Sequence, residues 1–82
     1  MESDFILWIR AAPEVADIDG EVTRLMDKEG LDICLRGKYL GPMPTEVVYY
    51  IRTSRCMLIK LKGRIDEFIH YEAFNLFEWR YW

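Results

Sequence analysis

The sequence predicts an α+β fold, a single two-layer domain with one main helix packed on a mostly antiparallel sheet of four to six strands. Three observations carry this prediction. At 82 residues the chain has the length of one domain, and such a domain buries only about 60–65% of its unfolded surface. Short segments rich in β-branched and aromatic residues are punctuated by glycine and proline, as strands and turns are. One longer segment repeats its apolar residues at helical spacing.

The first element is a strand. Phe5 to Ile9 form an unbroken apolar run between Asp4 and Arg10, which suits a central strand buried on both faces. The helix follows over Pro13–Glu29. Pro13 is tolerated in a first turn, where its missing N–H has no partner anyway. Val15, Ile18, Val22, Leu25 and Met26 share one stripe. Gly30 and then Leu31 supply a glycine C-cap and the apolar contact behind it, while Gly20 is the point at which the helix would break in two. Leu31 to Arg36 alternates with Leu31, Ile33 and Leu35 inward and reads as a half-buried strand. Strand, helix and strand with short joints favour a right-handed parallel crossover. Residues 37–45 hold two glycines and two prolines and are expected to be a loop.

Glu46 to Arg52 is a third strand by its β-branched and aromatic content, with a turn over Thr53 to Arg55. Cys56 to Lys62 alternates again and is read as a strand, with Met57, Ile59 and Leu61 inward and Lys60 and Lys62 outward. The last fifteen residues, FIHYEAFNLFEWRYW, contain seven aromatic side chains. A helical stripe through Ile65, Phe68, Ile69, Ala73, Leu76 and Phe77 competes there with strands that place Ile69, Tyr71 and Ala73, then Phe77, Trp79 and Tyr81, on one side. The aromatic content favours strands, bent near Asn75. The predicted inner face is Phe5, Leu7, Ile9, Val15, Ile18, Val22, Leu25, Ile33, Leu35, Ile59 and Leu61.

Composition narrows the function. A hydrophobic share of 51% with 30% charged residues is that of a folded chain. The net charge of −3 and pI near 5.1 argue against a general nucleic-acid binder. Residues 1–36 hold nine acids and four bases, a net of −5, and residues 37–82 hold five acids and seven bases, a net of +2. Cys34 and Cys56 have neither disulfide-framework nor metal-knuckle spacing and are expected to be buried free thiols. With no leader pattern at the N-terminus and no apolar run long enough to span a membrane, the expected location is the cytoplasm of a bacterium or of an infected host cell.

Catalytic constellations are not apparent. Asp17, Asp19, Gly20 and Glu21 suggest a calcium loop, but with Gly20 at its sixth position the first and twelfth ligand positions fall on Val15 and Met26, which cannot ligate. His70 is the single histidine. It has no set of partners for a zinc site or a triad, so a local hydrogen bond is expected, and Glu67 and Glu72 beside it imply no paired-carboxylate chemistry. GKYLGP lacks the context of a phosphate-binding loop. No cofactor, metal or enzymatic activity is implied.

Binding remains. The sequence predicts a non-enzymatic protein-binding module, an inhibitor of the immunity or phage anti-defence type that occupies a basic or apolar patch on a larger protein. Glu14, Asp17 and Glu21 on the helix would steer association, and Trp79, Tyr81 and Trp82 would supply anchors, because binding hot spots favour such residues. One helix covers one face of a sheet, so part of the aromatic tail must meet solvent or a partner. The alternative is a single-stranded nucleic-acid-binding domain in which Arg52, Arg55, Lys60, Lys62 and Arg64 lie on the strands near Tyr49 and Tyr50. A third reading is a homo-oligomer, with a homodimer as its simplest form.

Overall fold

The computed structural model describes residues 1–43 and 45–79. Its elements are β1 (Glu2–Ala11), α1 (Ile18–Lys28), β2 (Cys34–Leu40), β3 (Glu46–Ser54), α2 (Arg55–Phe68) and β4 (Tyr71–Trp79). The strands form one sheet in the order β2-β3-β1-β4, antiparallel at every pairing. It follows that β1 and β2 run parallel with β3 between them, and that β3 and β4 run parallel with β1 between them. Two βαβ units interleave in this way, the arrangement known as the split βαβ or ferredoxin-like topology. The predicted α+β two-layer class is therefore the observed one, with two helices where one was expected.

The core lies between the sheet and the helices. Phe5, Leu7 and Ile9 of β1 and Val47, Tyr49 and Ile51 of β3 meet Ile18, Val22 and Leu25 of α1 and Leu58, Leu61 and Ile65 of α2 in one buried cluster. Because side chains alternate along a strand, these residues occupy one face of the sheet, and both helices cover that face.

The two helices are set by their ends. α1 starts at Ile18, not at Pro13, because the Asp17 side chain accepts a hydrogen bond from the Gly20 N–H at 3.0 Å and caps the first turn. Gly20 does not break the helix. A Cβ there would lie 2.4 Å from an Asp17 carboxylate oxygen, so glycine lets the cap close. At the other end Gly30 takes a positive φ of 60°. Its N–H donates to the Asp27 carbonyl at 3.2 Å, and the Leu31 N–H donates to Met26 at 3.3 Å. This is a Schellman cap on the glycine that the sequence marked.

Three segments depart from expectation. Residues 55–68 are a helix, not a turn followed by a strand. Ser54 caps it by accepting from the Met57 N–H at 3.2 Å. The side chains at Leu58, Leu61 and Ile65 then point inward, and Ile59 is 73% exposed. Leu31 and Ile33 pack against the core edge, but strand pairing begins only at Cys34 and runs through Leu40, most of the way into the expected loop. An irregularity between Leu35 and Gly37 interrupts this ladder, and Leu35, on an edge strand, is exposed instead of inward. In the tail β4 is a strand, as favoured, but its irregularity lies opposite Arg10 and Ala11 and not at Asn75. Tyr71, Phe74 and Leu76 consequently pack toward the helices, whereas Ala73 and Phe77 pair with Arg10 and Ile6 on the opposite side.

Candidate protein-binding surface

The sheet has a second face, on which neither of the two described helices packs. Strand registry defines its residues, since paired residues on antiparallel strands share a side. One row reads Phe77, Ile6, Tyr50 and Gly37; the next reads Asn75, Trp8, Val48 and Tyr39. Flanking rows bring Ala73, Arg10 and Glu46 to one end and Trp79, Asp4, Arg52 and Cys34 to the other. The centre of this face is aromatic and aliphatic. Phe77 is 53% exposed, Trp79 41% and Tyr50 39%, while Ile6, Trp8 and Val48 are half-buried by their neighbours on the same sheet. The rings of Tyr50 and Trp79 meet edge to face, with centroids 6.4 Å apart, a favoured aromatic geometry.

Charge on this face is held in pairs. The Arg52 guanidinium reaches Asp4 at 3.2 Å and Glu2 at 3.9 Å. Arg10 reaches Glu72 at 3.7 Å and lies over the Trp8 ring, 5.8 Å from its centroid. Arg36 adds a cation at one corner, in a small cleft with Asp4, Tyr50 and Trp79. The face therefore presents an apolar centre and a rim of nearly balanced charge.

The predicted anchors and the predicted acidic steering residues fall on opposite sides of the sheet. Trp79 belongs to the helix-free face; Tyr81 and Trp82 lie outside the described residues. Glu14, Asp17 and Glu21 sit on the helical side and already have partners: Glu14 meets the His70 ring Nδ1, Asp17 caps α1, and Glu21 accepts from Arg24 at 3.1 Å. A hydrogen bond from its own backbone, and then the His70 ring, hold the Glu14 carboxyl below its ordinary value. The His70 bond is long-range in sequence, not the local one expected. Asp17→Ala should cost about 1 kcal/mol through loss of the cap, and Asp17→Asn should keep most of it. Thermal melts of the two variants check this, and equal losses would show that Asp17 does not act as the cap.

The basic set predicted for the strands does not assemble on the sheet. Arg52 alone of the five is on a strand; Arg55, Lys60, Lys62 and Arg64 are on α2, so they do not flank Tyr50. Three of these four are paired: Arg55 with Glu78 at 3.0 Å, Lys62 with Asp66 at 2.6 Å, and Arg64 with Glu29 at 3.3 Å and Glu67 at 3.0 Å. Lys62 also donates to the Tyr71 hydroxyl at 2.9 Å. Hydrogen bonds to Asp66, then to Tyr71, raise the Lys62 pKa, and the same contacts lower that of Asp66. Cys34 and Cys56 are free, as expected, but exposed and not buried, because one lies on an edge strand and the other on the first turn of α2.

Among the described residues, no three His, Cys, Asp or Glu side chains gather as a metal site would need. Among the same residues no helix is long and apolar enough to cross a membrane. Sequence reasoning missed Ile6 and Trp8 as surface residues, placed Phe77 only within the tail segment that must meet solvent or a partner, and used Tyr50 only beside the basic set. The signal was present in the run Phe5–Ile9: a strand apolar on both sides, in a fold with helices on one side, must show half of that run elsewhere. No family model, curated protein or solved structure matches the chain.

Proposed function

We propose that this protein is a non-enzymatic binding module that seats the helix-free face of its sheet on an apolar patch of a larger protein. The observation that carries this reading is the continuous set Ile6, Trp8, Tyr50, Phe77 and Trp79, over which none of the described elements packs. Contiguous apolar patches of this kind are uncommon on monomers and mark interaction sites, and Trp and Tyr are the residues that most often dominate binding energy. The mechanism is occupation: the module covers its partner's surface and excludes other ligands from it, as an inhibitor does. The chemistry of the partner follows from the charge pattern. Arg10 and Arg52 are held by carboxylates, which among the described residues leaves Arg36 at one corner in place of the row of cations that tracks a phosphate backbone. It suits a largely uncharged protein surface.

The test is a titration against a candidate partner protein, with salt varied. Substituting Tyr50 and Phe77 together by threonine, both exposed on this face, should weaken the complex at least tenfold while the protein stays folded, and the affinity of the native protein should change little with salt. A complex that survives the double substitution would remove this face from the interface. Binding to single-stranded RNA or DNA that weakens linearly in log affinity against log salt would replace the reading with the nucleic-acid one.

A further inference from the structure

The two edges of the sheet are built differently. β2, at one edge, is interrupted in its middle by the irregularity between Leu35 and Gly37 and carries two cations, Arg36 and Lys38, the second bonded to Asp19 at 2.7 Å. Bulges and cationic side chains are the devices by which edge strands avoid further pairing. β4, at the other edge, pairs regularly with β1 from Ala73 through Trp79, and within that span its single charged side chain, Glu78, is bonded to Arg55 at 3.0 Å. It has no proline and no lysine. From Ala73 through Phe77 the β4 edge therefore carries none of these devices among the described residues, and its backbone donors and acceptors form a regular row.

From this asymmetry we infer that β4 pairs antiparallel with β4 of a second copy of the chain, about a two-fold axis at Asn75. The sequence of the strand is complementary to itself in that register. Ala73 falls opposite Phe77 of the copy, a small residue beside a large one. Phe74 falls opposite Leu76 of the copy on the helical side, and Asn75 falls opposite its own equivalent, where two side-chain amides can exchange hydrogen bonds. The carboxylates that approach at the ends, Glu72 and Glu78, each bring a guanidinium, Arg10 and Arg55, so the juxtaposition is charge-balanced. A trough beside the edge accepts the added strand. It lies between α2 and β4, lined by Leu58, Ile59, Leu76 and Phe77 with Arg55 and Lys62 at its rim. Leu76 and Phe74 are only half-buried there and Ile59 is exposed; Phe74 and Leu76 of the copy would cover them. The dimer carries one eight-stranded sheet and doubles the helix-free face without using it, so this inference does not depend on the function proposed above.

Sedimentation velocity over a range of concentrations tests it. The native protein should show a reversible dimer in the micromolar range. Asn75→Lys, which places two ammonium groups opposite each other at an exposed position, should raise the dissociation constant at least tenfold while leaving unchanged the circular dichroism and the melting temperature measured below the native dissociation constant. Mixing Asn75→Lys with Asn75→Asp should restore a dimer of one chain of each kind. Tyr39→Lys, on the opposite edge, and Tyr50→Ser, on the helix-free face, should leave the dimer intact. A monomer at every concentration would overturn the inference, as would an Asn75→Lys protein that dimerises like the native one. Loss of the dimer in Tyr39→Lys or Tyr50→Ser but not in Asn75→Lys would place the contact elsewhere and overturn it equally. Slowed hydrogen exchange in β4 amides only when a different protein supplies the strand would assign the edge to that partner and not to a second copy.

Discussion

Replacing Ile65 by alanine should lower the stability of this protein by about 2–5 kcal/mol, the range for removing a buried isoleucine side chain. Ile65 is fully buried, in the cluster where α2 meets the sheet, so its loss leaves a cavity that packed neighbours close only partly. A domain of 82 residues has a total stability of about 4–12 kcal/mol at 0.05–0.15 kcal/mol per residue. The substitution therefore removes a large share of it. Since each kcal/mol moves the midpoint of a domain this size by about 4–8 °C, the melting temperature should fall by at least about 8 °C. The same change at Ile59, six residues earlier and exposed on the helix surface, should stay within about 0.5 kcal/mol. The pair discriminates the helix from the strand that the local alternation suggests, because a strand over Cys56–Lys62 turns Ile59 inward and would make it the costly site.

That contrast shows where the sequence could be read and where it could not. Met57, Ile59 and Leu61 alternate, while Leu58, Leu61 and Ile65 lie at helical spacing, and within seven residues neither pattern excludes the other. What selects the helix is outside the window: the cap at Ser54 and the inward reach of Ile65. The Gly30 cap was legible because a left-handed backbone position is a property of one residue. The central place of β1 was legible because nothing but a strand in mid-sheet suits Phe5–Ile9. The length of β2 was not, since Gly37 and Lys38 have the composition of a loop and are held in the ladder by β3. The candidate surface was half legible. Aromatic excess in the tail pointed to an interface, and Trp79 lies in it, but the rows that join it to Trp8 and Tyr50 depend on strand order, which no local pattern encodes. Tyr49 and Tyr50 illustrate the limit: adjacent and alike in the sequence, one is buried in the core and the other is on the open face.

Substituting Asp19, a half-buried residue in the first turn of α1, by alanine should destabilise the protein, because its carboxylate accepts from the hydroxyl of a buried tyrosine. The Tyr49 hydroxyl donates to one carboxylate oxygen at 2.7 Å, and Lys38 donates to the other at 2.7 Å. Burial, then the hydrogen bond to Asp19, push the Tyr49 pKa far above its ordinary range, so the hydroxyl keeps its proton and always needs an acceptor. Removing that acceptor leaves the hydroxyl only its longer contact with the Asp19 backbone carbonyl at 3.4 Å, at a cost of about 1–3 kcal/mol. Tyr49→Phe should cost less, since Asp19 keeps Lys38 and its access to water. In the double variant the penalty for Asp19→Ala should largely vanish, a coupling that a double-mutant cycle of urea unfolding measures directly. Acid should act on the same contact. The hydrogen bond from Lys38, with that from Tyr49, holds the Asp19 carboxyl below its ordinary value of 3.8. A depressed folded-state pKa gives stability that is complete above the unfolded value and lost as pH falls through the folded one. The gap between native protein and Asp19→Asn should therefore be full at neutral pH, begin to close below about pH 4, and narrow further as the native carboxylate takes up its proton. Asp66 and Glu14 are shifted in the same direction, but they titrate alike in both proteins and cancel in the difference. A gap that is the same at pH 7 and at the acid limit would show that the ionised carboxylate of Asp19 contributes nothing to the fold.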